Sequence, residues 1–180
     1  YKTISPSMDI LVSSNLERLL YLASGGDDTM VAQKMKELSR RGFYEIAPAL
    51  LDTLQQTFLC GCCDDSKTAE TIRDVWEREH YLLDPHTAVA WAVAEQHRSE
   101  LTGPTVVHST ASPYKFAPAV LAALGQNVPE NAFDAMEKLH ELTETDIPAP
   151  LAELAGLPVR HRDCIAKEEM LTYVRSRMEG

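Results

Sequence analysis

The sequence predicts an α/β fold, and two segments with the order strand, polar turn, helix carry this prediction. Residues 105–110 form a short run rich in β-branched side chains, and Ser112 with Pro113 after it is a typical helix start. Residues 57–63 form a second apolar run, and Asp64 after it is a typical helix cap. A strand that leads directly into a helix is the repeating unit of α/β proteins, so both runs are expected to be strands of a sheet.

Helices are predicted along most of the remaining chain. Ser14 and Glu17 form a capping box that opens the first helix. Asp28 is expected to cap the second helix, which ends at Gly42, and residues 43–46 can form a brief strand. The later helices are expected to begin at Pro48, at Asp64, at Asp84 with Pro85, at Ser112 with Pro113 and at Asn131, and a last helix carries Leu171, Val174 and Met178.

The charge and the composition exclude several classes of partner. The 180 residues contain 17 Lys and Arg against 27 Asp and Glu, which gives a net charge of −10 at pH 7. Nucleic acids and anionic membrane surfaces both attract basic patches, so neither is an expected partner. No apolar run approaches the roughly 20 residues that cross a bilayer, and the first residues do not resemble a signal sequence. We therefore expect a soluble, cytoplasmic protein.

The cysteines predict neither a disulfide framework nor a metal site. Cys60, Cys62 and Cys63 lie in one short segment, where neighbouring residues cannot readily be bridged. Only Cys164 lies elsewhere. The spacing lacks the two ligand pairs, each separated by two residues, that zinc sites use. Small side chains on a tightly packed strand explain the segment better, and reduced thiols fit a cytoplasmic protein.

Two segments offer groups that could bind a ligand. Ser109 and Thr110 end the predicted strand, at the edge where open sheets bind ligands, and Ser112 alone satisfies the following helix cap. Ser14 and Asn15 lie at a helix start, where free backbone N–H groups attract anions, although a capping box explains them equally. His86 follows a helix cap, and it either points toward a cleft or lies on the surface of the first turn.

Three segments of the chain carry specific residue motifs. Residues 5–10 read Ser-Pro-Ser-Met-Asp-Ile and are followed by Ser-Ser-Asn-Leu-Glu-Arg at 13–18. Residues 83–89 read Leu-Asp-Pro-His-Thr-Ala-Val, and residues 109–116 read Ser-Thr-Ala-Ser-Pro-Tyr-Lys-Phe. Together these segments resemble threonine synthase, an enzyme that depends on pyridoxal 5′-phosphate (PLP). Residues 155–170 are also similar to the C-terminal end of the family, so the resemblance covers nearly the whole chain.

The resemblance implies a particular fold and division of the chain. The fold is a three-layer αβα arrangement, part of the large PLP-binding domain of the fold-type II, tryptophan synthase β-like architecture, with C-terminal helices added. Residues 1–125 are expected to form this domain, with a helical insertion around 27–57. Residues 126–180 are expected to form a helical extension packed on it. Part of the sheet would be open, so self-association through that edge is also expected.

The resemblance also implies the chemistry of the intact enzyme. Threonine synthase is a carbon–oxygen lyase of threonine biosynthesis, and it converts O-phospho-L-homoserine and water to L-threonine and phosphate. Thr110, with Ser109 beside it, matches the hydroxyl that bonds the pyridine nitrogen of PLP in fold-type II enzymes. From the anion-site argument alone, we assign the phosphate of the substrate to Ser14 and Asn15 as a hypothesis.

This sequence departs from the family in the residues that perform the chemistry. It contains neither the Ser-Phe-Lys-Asp segment of the Schiff-base lysine nor the glycine- and asparagine-rich loop for the PLP phosphate. No catalytic residue is therefore predicted in this chain, which we expect to be a C-terminal portion that is active only with the N-terminal half as its partner. Two alternatives remain: a non-catalytic relative that binds a ligand or partner, and another fold-type II PLP enzyme such as a dehydratase.

Overall fold

A computed structural model describes residues 1–178 of the chain, and the regular structure in this range is helical. The α-helices are α1 (Ser14–Ala23), α2 (Asp28–Arg41), α3 (Pro48–Gln55), α4 (Asp65–Glu79), α5 (Pro85–Gln96), α6 (Ala117–Ala123), α7 (Ala132–Thr143), α8 (Ala149–Ala152) and α9 (Met170–Met178). Short 3-10 helices lie at Pro6–Met8, Pro113–Phe116, Glu153–Gly156 and Lys167–Glu169. No helix in the described range is long and apolar enough to cross a membrane.

The predicted α/β fold class is wrong, because residues 1–178 form no β-strand. A strand exists only where the backbone of a second strand pairs with it. In the segment 57–63 the carbonyls of Cys60 and Cys62 instead accept hydrogen bonds from side chains at the end of α5, His97 Nε2 and Gln96 Nε2, each at 3.0 Å. The described residues therefore give no support to the predicted three-layer sheet or to self-association through its edge, and the expected brief strand at 43–46 is also absent.

The strand predicted at 105–110 keeps the side-chain alternation of a strand but has no paired neighbour within the described range. Thr105, Val107 and Ser109 line one cavity beside α5, while Val106 between them is 78% exposed. Successive side chains of an extended chain point to opposite sides, so a spacing of two is the expected signature. Residues 105–110 have no strand partner in the part of the chain that the structure describes, so the strand that the sequence predicts here is absent.

Most predicted helix starts are confirmed, and two are displaced by one residue. Asn131 Oδ1 accepts from the backbone N–H of Phe133 at 2.8 Å, as expected of the cap of α7. For α1 the cap is Ser13 and not Ser14, and for α2 it is Asp27 and not Asp28. In both cases two adjacent residues have suitable side chains, and the capping residue is the one whose oxygen reaches the N–H three residues later.

The chain divides into two compact units, residues 1–147 and the residues from Pro148 onward. The core of the first unit lies where α4 packs on α5 and α6, and where α6 packs on α7. Its most deeply buried apolar side chains are Leu20, Ile72, Val75, Leu83, Val120, Leu121 and Leu139. The predicted division at residue 125 stays a prediction.

The second unit contains α8, α9 and a small polar cluster. Asp163 accepts hydrogen bonds from the Tyr173 hydroxyl, at 2.5 Å, and from the Arg177 guanidinium. These two donors stabilise the ionised carboxyl, so the pKa of Asp163 lies below its usual value. The cluster ties the segment before α9 to the last turn of that helix.

Candidate functional site

The three segments that resemble the family meet around one buried carboxyl group, that of Asp84. Asp84 is 0% exposed and caps α5, with Pro85 as the first helical residue. Its Oδ1 accepts from the backbone N–H of His86 at 2.9 Å and lies 3.0 Å from His86 Nδ1. Its Oδ2 accepts from the Thr87 hydroxyl. Both carboxylate oxygens are therefore occupied by groups from the first turn of α5.

His86 connects this carboxyl group to the N-terminal segment. The backbone N–H of Ser7 donates to His86 Nε2 at 3.3 Å, so Nε2 carries a lone pair. Nδ1 then carries the proton and donates to Asp84 Oδ1. The Phe116 ring packs on the imidazole, with 4.8 Å between the ring centroids. His86 is thus buried, and its interpretation as a surface residue is wrong.

Thr87 connects the same carboxyl group to the predicted ligand-binding residues. Its Oγ1 lies 3.4 Å from the Oγ of Ser109. Ser109 and Thr110 are both exposed. Beyond them, Ser112 caps a 3-10 turn, and the hydroxyl of the buried Tyr114 donates to the carbonyl of Thr145 at 2.6 Å. Residues 109–111 therefore lie between two anchored points of the chain.

Ser14 and Asn15 lie elsewhere in the first unit, at the start of α1. Ser14 lines a cavity of about 430 Å³ between α1 and α2, whereas Ser109 lines the cavity beside α5. Since Ser13 caps the helix, the Ser14 hydroxyl is not needed for capping. Asn15 Oδ1 accepts from the guanidinium of Arg18 and orients that cation one turn from the helix start. Ser14 and Ser109, one from each pair of predicted site residues, thus line different cavities.

Comparison with known proteins decides the family. Residues 87–175 match the family model described as threonine synthase, C-terminal. Threonine synthase from Pseudomonas aeruginosa is 34% identical over 164 residues, covering 89% of this chain and 34% of that protein. The crystal structure of PLP-bound threonine synthase from Brucella melitensis is 37% identical with a TM-score of 0.68, covering 88% of this chain and 30% of that chain. The chain belongs to the threonine synthase family.

The match to the threonine synthase family model concerns the C-terminal portion, and it includes Ser109 and Thr110 but not Ser14 and Asn15. The matched range begins at Thr87, within the Asp84 network, and contains Ser109 and Thr110. Human "Threonine synthase-like 1" is 40% identical over 123 residues, covering 68% of this chain and 16% of that protein. The chain therefore spans only a minor share of the length of these threonine synthase relatives.

The Asp84 network is the part of this threonine synthase portion that sequence reasoning missed. The sequence predicts Asp84 as a helix cap but gives no role to Thr87 and no bonding partner to His86. A usable signal existed, because three polar side chains stand in the first turn of a helix that is otherwise apolar nearly all round. Polar groups in a buried turn must bond to one another or to nearby chain segments.

The segment 60–63 borders another cavity beside α5, of about 530 Å³, which is not the one that Ser109 lines. His97 holds this segment to the end of α5. His97 Nδ1 lies 2.6 Å from Glu100 Oε1, and Nε2 lies 3.0 Å from the Cys60 carbonyl. The Glu100 carboxylate, followed by the Cys60 carbonyl, raises the pKa of His97 above its ordinary value. Only the protonated imidazole can donate to both oxygens.

We expect the change Glu100→Gln to lower the pKa of His97 toward its ordinary value, because it removes the largest cause of the increase. NMR titration of the imidazole carbon-bound protons measures this pKa directly. A raised pKa in the folded chain means that the protonated His97 imidazole stabilises the folded state. This stabilisation is fully present below the unfolded-state pKa and is lost as the pH rises through the folded-state pKa. Glu95→Gln is the matched control, since Glu95 pairs with Arg98. An equal decrease in both variants would contradict the assignment.

Proposed function

We propose that this chain is the C-terminal portion of a PLP-dependent threonine synthase, which forms L-threonine and phosphate from O-phospho-L-homoserine and water. One observation carries the proposal. The Asp84 network joins the three segments that resemble the family and holds Ser109 next to it, with Thr110 exposed at the adjoining position. The family membership and the PLP bound to the relative from Brucella melitensis support this proposal.

The residues of this chain fit one end of the cofactor. Thr110 presents an exposed hydroxyl at the end of an extended segment, and such a group can donate to the pyridine nitrogen of PLP. A neutral donor leaves that nitrogen unprotonated. When bound, the cofactor supplies an electron sink for the replacement chemistry. The sequence offers no lysine in the Ser-Phe-Lys-Asp context and no glycine-rich phosphate loop, so we propose that these groups come from the N-terminal half and that this chain alone is inactive.

The phosphate of the substrate is assigned to Ser14 and Asn15 within this proposal. The Ser14 hydroxyl is exposed and not used as a cap, and Asn15 holds the Arg18 guanidinium nearby. A hydroxyl, free N–H groups and a guanidinium together suit a phosphate group.

We expect Ser14→Ala with Asn15→Ala in the complete enzyme to raise the KM for O-phospho-L-homoserine by roughly tenfold, because charge-assisted hydrogen bonds to the phosphate are lost. The kcat should change less, since the phosphate contact forms before the reaction. Ser66→Ala is the matched control, because Ser66 is an exposed serine in the first turn of α4. An unchanged KM in the double variant would remove both residues from the site.

The proposed function is tested by assaying the complete enzyme with PLP and O-phospho-L-homoserine. Equimolar release of phosphate and L-threonine is the expected result. Release of ammonia from serine or threonine, without threonine formation, would instead indicate a dehydratase. PLP binding without turnover of any of these substrates would indicate a non-catalytic relative. The chain alone, assayed in parallel, should show neither turnover nor tight PLP binding.

A further inference from the structure

His97, at the C-terminal end of α5, contacts two oxygens that can only accept a hydrogen bond. Its Nδ1 lies 2.6 Å from Glu100 Oε1, and its Nε2 lies 3.0 Å from the carbonyl oxygen of Cys60. Each contact needs a proton on the ring nitrogen, so both form together only in the imidazolium. The C-terminal end of a helix also favours a cation. The geometry is therefore that of a protonated His97.

When the ring loses one proton, the two oxygens compete for the proton that remains. A hydrogen bond to a carboxylate is stronger than one to a neutral carbonyl, and the contact with Glu100 is also the shorter of the two. The remaining proton therefore stays on Nδ1, next to Glu100. The lone pair of Nε2 then faces the lone pairs of the Cys60 carbonyl oxygen, and the attraction between these two atoms is lost.

A second bond holds the same segment to α5, and this bond does not depend on pH. Gln96 Nε2 donates to the Cys62 carbonyl at 3.0 Å, and a side-chain amide does not titrate near neutral pH. Deprotonation of His97 is therefore expected to free the segment 60–63 at Cys60 and to leave it attached at Cys62. Since Cys60 lines the cavity of about 530 Å³ beside α5, its release widens the opening of that cavity.

The other ionisable groups near the ring leave Glu100 as its charged partner. Those that line the same cavity are Asp9 of the N-terminal segment and the thiols of Cys60, Cys62 and Cys63. On the helix side, Arg98 is paired with Glu95 at 2.9 Å. Glu100, followed by the Cys60 carbonyl, raises the pKa of His97 above its ordinary value. The release is therefore expected at a pH above the ordinary range of imidazole titration.

We propose that His97 holds the Cys60 end of the segment 60–63 on α5 only while its imidazole is protonated, and that the neutral ring releases this end. Glu100 makes the release selective, because it keeps the last proton on Nδ1. Gln96 limits the movement, because it keeps the Cys62 end in place. The inference needs only α5 and this segment, so it does not rest on the proposed catalytic activity.

The test observes the Cys60 carbonyl directly by NMR. Cys60 and Gly61 form the only Cys-Gly pair in the sequence. Labelling cysteine carbonyl carbons with ¹³C and glycine nitrogens with ¹⁵N therefore gives one carbonyl–amide signal from this chain, which Cys60→Ser identifies in the complete enzyme by removing it. We expect the carbon signal to move upfield as the pH rises, with the midpoint of the His97 imidazole titration, because a carbonyl that loses a hydrogen bond is less deshielded.

The Cys62 carbonyl is the internal control for this measurement. Cys62 and Cys63 form the only Cys-Cys pair in the sequence, so ¹⁵N-labelled cysteine selects the Cys62 carbonyl in the same way. Its signal should stay in place through the His97 titration, because Gln96 holds it. Equal shifts of the Cys60 and Cys62 carbonyls would overturn the inference, since the whole segment would then leave α5.

Glu100→Gln is expected to abolish the pH dependence while the imidazole still titrates. The new amide can donate to Nδ1, which leaves the proton of the neutral ring on Nε2 for the Cys60 carbonyl. The Cys60 signal should then stay in place at all pH values. Glu95→Gln, which removes the partner of Arg98, should keep the full shift. The same shift in Glu100→Gln as in the unmodified protein would overturn the inference, as would a Cys60 signal that does not follow the His97 titration.

Discussion

Asp84→Ala is expected to lower the free energy of unfolding of the complete enzyme by about 3 kcal/mol. The Asp84 carboxylate accepts from the backbone N–H of His86, from His86 Nδ1 and from the Thr87 hydroxyl, and all of these groups are buried. Removing the acceptor leaves the backbone N–H and the Nδ1–H of His86 without a partner, and it leaves the Thr87 hydroxyl only its 3.4 Å contact with Ser109. The cost therefore comes mainly from unsatisfied donors and less from the loss of a helix cap.

A second aspartate cap provides the matched control for this prediction. Asp64 caps α4 and accepts from the backbone N–H of Lys67 at 2.7 Å, but its side chain is exposed. Asp64→Ala should cost about 1 kcal/mol, the usual value for an exposed cap. Urea unfolding followed by circular dichroism measures both variants. Equal losses of stability would show that Asp84 acts only as a cap and that its bonds to the His86 imidazole and the Thr87 hydroxyl add little.

Helix ends were predictable from the sequence because they depend on local contacts. Gly42 ends α2 with a positive φ of 77°, a conformation that glycine adopts without strain, and the pattern around Asp84 and Pro85 predicts the start of α5. The displaced caps at Ser13 and Asp27 have the same local origin. Where two adjacent side chains can each cap a helix, backbone angles decide which of them does so, and the residue types alone do not determine these angles.

The prediction of a sheet was wrong because a strand requires a partner from a distant part of the chain, and the sequence pattern of one segment does not identify that partner. An apolar run indicates an extended, partly packed segment, and residues 105–109 satisfy that description. The run does not specify what its backbone groups bond to. At Cys60 and Cys62 the acceptors are taken by Gln96 and His97, a choice that depends on how closely α5 approaches. The bonding partners of these two segments are therefore the part of this fold that residue patterns could not supply.

The candidate site divides in the same way between local and distant contacts. Ser109 and Thr110 were predicted from their position at the end of an extended run, which is local information. The network behind them joins Ser7, His86 and Ser109, which lie on three segments far apart in the sequence. Its members could be suspected from their polarity in a buried helix start, but their pairing required the fold.

Gly61→Ala is expected to lower the free energy of unfolding by about 2 kcal/mol, because the added methyl group has no room. A Cβ at Gly61 would lie 2.5 Å from Gln96 Oε1 and 3.0 Å from Val93 Cγ1 on α5. Val93 is β-branched and stiff in a helix. Gln96 is flexible, but its Nε2 donates to the Cys62 carbonyl, so moving it breaks the bond that holds the segment to α5. The segment 60–63 must therefore shift away from the helix.

Gly103→Ala is the matched control, since a Cβ there has no neighbour within 4 Å, and its effect should stay within about 0.5 kcal/mol. Urea unfolding of both variants tests the difference. The change Gln96→Ala then identifies the obstacle, because it removes the atom nearest to the new methyl group. If the contact with Gln96 carries the cost, Gly61→Ala should be less destabilising in the Gln96→Ala background than in the unmodified enzyme. The same cost in both backgrounds would assign the strain to Val93, and the segment would then be fitted to α5 by packing and not by the amide of Gln96.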